Sequence, residues 1–215
     1  MVTRNVRLTL ELTERGDAAV VRPPVRILFL AANPRDTGRL SLELEFRELR
    51  DALQRSRLAD RVELHAEWAV RVGDIQDHLL TYRPTIVHFS GHGVRAPGAA
   101  LTPGSRDFLP PARSDPLPAV GEVPGGIVVW GDRGEAVEIA ADALVELFRQ
   151  LEGTTRCVVL NACYSEAQAA ALAERVDAVI GMSRAVSDQT AIEFSRALYR
   201  AIAHGQSLAS AFALA

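Results

Sequence analysis

Short apolar segments alternate with amphipathic segments along most of the chain. After Pro24, apolar runs predict strands over 26–31, 62–68, 85–90, 126–130, 156–161 and 176–181. Between them, apolar residues three or four positions apart predict helices over 41–57, 74–82, 140–151, 166–174 and 189–203. This alternation predicts an α/β fold, in which helices cover both faces of a mostly parallel sheet.

Two segments depart from this alternation. The first 24 residues contain a period-two pattern, and we interpret 1–24 as an N-terminal strand pair or the tail of a preceding module. Residues 94–126 hold seven of the eleven prolines and show no periodicity, which indicates a functional loop, a flexible insertion or a processing site. The main domain is predicted over 25–215. Its apolar helical pattern still runs at Leu208 and Phe212, which predicts a domain excised from a larger protein.

The residues that follow the apolar strands are the candidates for chemistry, because ligands bind at the carboxyl ends of parallel strands. His92 lies two residues beyond the third predicted strand, and Cys163 lies two residues beyond the fifth. If these strands are neighbours, the two side chains meet, and an imidazole beside a thiol forms an activated nucleophile. Gly91 and Gly93 flank the histidine and let main-chain N–H groups face a developing oxyanion.

Other candidate sites are weaker. Cys157 is in the middle of an apolar strand and is interpreted as a core residue. Residues 91–96 match a relaxed dinucleotide fingerprint, but no helix begins at the third position to hold a pyrophosphate. His88 should point away from His92, and the spacing of cysteines and histidines predicts no metal site. The carboxylates of the first helix are interpreted as a solvated, ion-paired face: Glu43, Glu45, Glu48 and Asp51.

Composition and charge narrow the classes of function. The formal net charge is −3 and the sequence pI is about 6.0, so we expect no direct nucleic-acid partner. We also expect no membrane partner, since no apolar run approaches the roughly 20 residues that span a bilayer. Two cysteines and no signal-peptide pattern predict a cytoplasmic protein. All 24 basic residues are arginine, which excludes a Schiff-base lysine and a Walker A lysine.

With these residues placed, the chain resembles the bacterial CHAT family of caspase-like cysteine peptidases. The motifs that carry the resemblance are I-V-H-F-S-G-H-G at 86–93 and C-V-V-L-N-A-C-Y-S at 157–165. The opening strand at 27–34 and the closing helix at 194–205 also fit, so the similarity runs over about 25–215.

The resemblance implies a caspase-like three-layer α/β/α sandwich and a cysteine endopeptidase that needs no cofactor. It implies His92 as general base and acid, Cys163 as nucleophile, and an oxyanion hole from the backbone N–H groups of Gly93 and Cys163. It also implies a protein substrate and a regulatory sensor domain or subunit outside this chain. Several members of the family serve bacterial signalling or antiviral defence. A catalytically silent caspase-like binding or scaffold module is the alternative.

The chain departs from the family pattern beside the proposed nucleophile and after the next strand. The signature Q-A-C-x-G of animal caspases is absent, so specificity for aspartate is not carried over. Many relatives carry W-x-V-x-D where this chain reads R-A-V-S-D at 184–188. The candidate substrate-binding residues are Ser183, which directly precedes this segment, and Asp188, which ends it. The alternative role for this segment is that Ser187 or Asp188 caps the helix predicted from 189.

Overall fold

The computed structural model describes residues 24–56, 59–94, 126–149 and 153–215. The predicted N-terminal strand pair and most of the 94–126 segment lie outside the described residues. The strands are β1 (Val25–Ala32), β2 (Val62–Trp68), β3 (Ile86–Gly91), β4 (Ile127–Trp130), β5 (Ala136–Ile139), β6 (Cys157–Asn161) and β7 (Ala178–Ile180). The helices are α1 (Leu42–Gln54), α2 (Val72–Tyr82), α3 (Ala141–Arg149), α4 (Glu166–Leu172), α5 (Asp188–Ala203) and α6 (Leu208–Leu214).

Five of these strands form the central sheet in the order β2-β1-β3-β6-β7, and every pairing in it is parallel. The inner strands β3 and β6 are buried along their whole length, as expected for apolar strands that are covered on both faces. Two apolar cores fill the space on either side of the sheet. One contains residues of α1, α5 and α6, and the other contains residues of α2, α3 and α4. The predicted three-layer α/β/α sandwich is confirmed.

The order of the strands places the candidate residues. β3 and β6 are direct neighbours at the centre of the sheet, in a register that pairs Ser90 with Asn161. Parallel neighbours end at the same edge, so the segments that leave β3 and β6 start side by side. The condition under which the sequence analysis brings His92 and Cys163 together, that their strands are neighbours, is therefore met.

One predicted strand pairs differently from the others. Residues 127–130 are a strand, but β4 pairs antiparallel with β5 in a separate two-stranded hairpin. β5 has four residues, too short to stand out in the pattern beside the helix that follows it. The hairpin continues from the strand ends of the central sheet, because the Val128 N–H donates to the His92 carbonyl at 2.9 Å. It therefore supports the segment that carries the candidate histidine.

Among the described residues, no helix is both long enough and apolar enough to cross a membrane.

Candidate functional site

A cleft lies at the carboxyl edge of the sheet, beyond the paired ends of β3 and β6. Its empty volume is about 360 Å³, which includes space that is open to solvent. His92 and Cys163 both line it, each two residues beyond the last pair in the register of β3 and β6. The rest of its wall comes from the start of α1, the strand ends and the segment around the start of α5: Leu40, Leu42, Glu45, Ser90, Gly91, Asn161, Ala162, Val186, Asp188 and Ala191.

His92 is held by contacts on both its ring and its backbone. Its Nε2 lies 2.6 Å from the Gly38 carbonyl oxygen, in the loop between β1 and α1. A carbonyl oxygen only accepts, so Nε2 carries the proton and the basic lone pair of the neutral ring is on Nδ1. Burial lowers the pKa of His92, and this outweighs the Gly38 hydrogen bond and the charge of Asp188, which raise it. The ring is therefore a neutral base at pH 7.

Cys163 lies in the turn that joins β6 to α4. The next residue, Tyr164, has a φ of 58°, a left-handed conformation that is uncommon for a bulky side chain and is often found at functional turns. The Val186 N–H donates to the Cys163 Sγ at 3.5 Å, and the thiol in turn donates to the Val186 carbonyl oxygen at 3.8 Å. Cys163 is half-buried, whereas Cys157 is 1% exposed and burial raises its pKa to about 12. Cys157 is thus an inert core residue, as predicted.

Gly93 packs directly against the backbone of Cys163. A Cβ added at Gly93 would lie 1.8 Å from the Cys163 carbonyl oxygen and 3.2 Å from its nitrogen. Only glycine permits so close an approach of two main chains. The main-chain segments of the two candidate oxyanion-hole residues are therefore in contact, with Cys163 on the wall of the cleft and Gly93 not among its lining residues.

The inner wall of the cleft contains a buried carboxylate, and this corrects the sequence analysis. Glu45 was assigned to a solvated face of α1, but it is 2% exposed and accepts hydrogen bonds from His88, Asn161 and Ser195. Burial alone would raise the pKa of this carboxyl, but its hydrogen bonds and the charge of His88 lower it overall. Glu45 is therefore ionised inside the protein. The two ring nitrogens of His88 bond this carboxylate and the Tyr199 hydroxyl.

The candidate substrate-binding and capping residues lie at the start of α5 and in the loop before it. Ser187 is the N-cap of α5, because its side chain accepts from the Thr190 N–H at 3.1 Å. Asp188 is the first residue of α5, lines the cleft, and accepts from the Ser41 N–H at 3.1 Å. Ser183 is exposed in the loop between β7 and α5, and the cleft-lining residues named above do not include it.

Three elements of the site were not found by sequence reasoning. The Gly38 carbonyl and the Val186 N–H are backbone groups, and side-chain patterns carry no signal for them. Glu45 did have a signal: it is three residues after Leu42 and four before Leu49, so it shares their buried face. Within the described part of the chain, no three His, Cys, Asp or Glu side chains converge as metal ligands.

The parallel sheet between two helical layers, with a cysteine and a histidine beyond neighbouring strand ends, defines a caspase-like α/β domain. The chain belongs to the CHAT domain family, whose model matches residues 2–215. It is also 22% identical, over 179 residues, to a protein of Gillisia limnaea named "Probable protease". That alignment covers 83% of this chain and 27% of the relative, so the chain spans about a quarter of the relative's length.

Proposed function

We propose that this domain is a cysteine endopeptidase in which Cys163 is the nucleophile and His92 is the general base and acid. The observation that carries the proposal is the shared cleft, which brings a thiol and a neutral imidazole to the ends of two neighbouring strands. The name of the relative from Gillisia limnaea points to the same class of reaction.

The chemistry follows the two-step course of covalent catalysis. His92 Nδ1 takes the proton of the Cys163 thiol as the sulfur attacks the scissile carbonyl carbon. The tetrahedral intermediate collapses, and the leaving amine receives that proton from His92, which leaves a thioester on Cys163. His92 then deprotonates a water molecule, which hydrolyses the thioester and restores the thiol.

Two backbone donors and one acidic side chain complete the proposed site. The N–H groups of Gly93 and Cys163 stabilise the oxyanion of each tetrahedral intermediate. The carboxylate of Asp188 on the cleft wall favours a substrate side chain with a positive charge or hydrogen-bond donors. Ser183 has no part in this proposed site, because it is not among the residues that line the cleft.

The proposed substrate is a protein, and the proposed switch is a sensor domain or subunit outside these residues. The proposal of a sensor outside these residues is supported by the relative from Gillisia limnaea, which is several times longer than the part that this chain matches. In this proposal, the domain is the cytoplasmic effector of a bacterial signalling or defence protein. The switch is measured by comparing the peptidase activity of these 215 residues alone with their activity in the presence of the proposed sensor domain or subunit.

A peptide probe with a carbon electrophile tests the catalytic assignment. We expect a peptidyl acyloxymethyl ketone to add one label to the chain, on Cys163 and not on the buried Cys157. A probe that ends in arginine should react faster than matched probes that end in leucine or aspartate, because of Asp188. Intact-mass spectrometry counts the label, and peptide mapping locates it.

The control for this labelling is His92→Ala, which keeps the thiol and removes the base. It should slow labelling by about 100-fold or more, since a positioned general base contributes about 10² to 10⁴. Reversible binding of the peptide without any covalent label would instead favour the silent binding module.

The pH dependence of hydrolysis should depend on Asp188. Because the pKa of His92 is lowered by burial, kcat/KM should hold at pH 7 and fall only below the ordinary imidazole pKa of about 6.5. The charge of Asp188 raises the pKa of His92, so Asp188→Asn should move this acid limb to lower pH. The exposed Asp142→Asn on α3 is the matched control and should leave the midpoint in place. A midpoint that rises in Asp188→Asn would contradict the assignment.

A further inference from the structure

The carboxylate of Glu45 gathers hydrogen bonds from three separate elements. His88 Nε2 donates to it at 3.0 Å, Asn161 Nδ2 at 2.6 Å and Ser195 Oγ at 2.6 Å, and Ser90 Oγ donates to its second oxygen. We call these five residues the Glu45 clamp. All five are buried, with exposed fractions of 4% or less. An ionised carboxylate in such a place is stable only because its oxygens are fully engaged.

Two of the four hydrogen-bond donors to Glu45 are the last paired residues of the central strands β3 and β6. Ser90 is two residues before His92, and Asn161 is two residues before Cys163. Ser90 and Asn161 are also direct partners in the register of β3 and β6, and both reach the same carboxylate. One side chain of α1 therefore ties together the last paired residues of the two strands that carry the site.

We infer that Glu45 is a positioning residue, which holds the ends of β3 and β6 so that the His92 ring meets the Cys163 thiol. This inference rests on the proposed function, because it assumes that His92 and Cys163 react together. The clamp does not touch the scissile bond. It acts through two strand ends, whose small displacement is enough to weaken catalysis, since a 1 Å misplacement can cost about 10²-fold in rate.

The arrangement of the clamp favours positioning over a stabilising role alone. A buried charged cluster is commonly no more stabilising than apolar residues of the same volume, so stability does not require this one. Glu45 also lines the cleft together with His92 and Cys163. Its hydrogen bonds are directional, so they specify where the strand ends sit.

Two serines of the clamp allow a matched test. Ser90→Ala removes the hydroxyl at the end of β3 that donates to the Glu45 carboxylate. Ser195→Ala removes a hydroxyl from the same carboxylate on α5 and also the 3.2 Å contact of that hydroxyl with Asn161 Nδ2. If the clamp only stabilised the fold, neither substitution should change the reactivity of Cys163 in the folded chain, and Ser195→Ala should lower the unfolding temperature more because it removes more contacts. If the clamp positions the strand ends, Ser90→Ala should lower the reactivity of Cys163 more than Ser195→Ala does.

The readout is the rate at which iodoacetamide alkylates Cys163 in the whole chain, measured from pH 5 to pH 9 by intact mass. This rate reports the action of His92 on the thiol and needs no peptide substrate. We expect Ser90→Ala and Glu45→Gln to lower it about tenfold at pH 7, and Ser195→Ala to change it less than threefold. Thr155→Val should leave it unchanged, since Thr155 bonds the Pro84 carbonyl at the opposite edge of the sheet.

Each outcome decides a separate point. Equal effects of the two serine variants, or a larger effect of Ser195→Ala, overturn the positioning role and leave the peptidase proposal intact. If His92→Ala does not slow alkylation, the proposal that His92 activates Cys163 is wrong, and the inference about Glu45 is overturned with it. Thermal unfolding of every variant is measured in parallel, and the serine pair decides the question if Glu45→Gln does not fold.

Discussion

Replacing Cys163 with alanine should lower kcat/KM for peptide hydrolysis by about 10³-fold or more, because the covalent step then has no nucleophile. Cys163→Ser should be almost as inactive, since a neutral hydroxyl is a poorer nucleophile than a thiol beside the same base. The measurement is turnover of a fluorogenic peptide whose terminal residue is the one preferred in the labelling experiment.

The matched control is the other cysteine of the chain. Cys157→Ala removes a buried sulfur, so it should reduce the free energy of unfolding by about 1 kcal/mol and leave kcat/KM within about twofold. Urea denaturation followed by fluorescence measures the first quantity. Native turnover by Cys163→Ala, or a large loss in Cys157→Ala at full folding, would assign the chemistry to a different group.

Replacing Gly93 with alanine should be nearly as damaging as the loss of the thiol. The added methyl group would lie 1.8 Å from the Cys163 carbonyl oxygen, and both partners are backbone, so neither can rotate away. One of the two main-chain segments must move, which displaces the proposed oxyanion donors together. We expect a loss of at least about 100-fold in kcat, by analogy with the removal of one oxyanion-hole donor, and a destabilisation of about 1–3 kcal/mol.

Gly73 on α2 provides the control for this substitution, because nothing lies within 4 Å of a Cβ added there. Gly73→Ala should keep full activity and should stabilise the domain by up to about 1 kcal/mol, since alanine is the better helix former. Turnover and urea denaturation are compared across both variants and the native chain. Unchanged kcat in a folded Gly93→Ala chain would refute the proposed role of this close approach.

The sequence predicted the central strands and the place of the candidate pair because apolar patterns are strongest where a strand is buried on both faces. β3 and β6 have this pattern, and His92 and Cys163 lie within two residues of their carboxyl ends. β5 was missed because four residues are too few to show a period, and its partner β4 was therefore expected in the parallel sheet. Short pairings of this kind depend on tertiary contacts, which local patterns do not contain.

The candidate site was only partly predictable for a different physical reason. Glu45 was misread because charge usually marks a solvated position, whereas the spacing of Leu42, Glu45 and Leu49 marks a buried one. In this case the spacing was the better guide. The Gly38 carbonyl and the Val186 N–H are common to every residue type, so only the folded chain reveals that they contact His92 and Cys163.

The pairing of β3 with β6 joins parts of the chain that lie on opposite sides of residues 95–125. A break anywhere in that interval would leave one fragment that carries His92 and another that carries Cys163. Neither fragment could react alone, and the contact that reunites them runs through the middle of the sheet. Activity would then be a property of the complementing pair, and recovery of hydrolysis after mixing would measure how tightly the two halves associate.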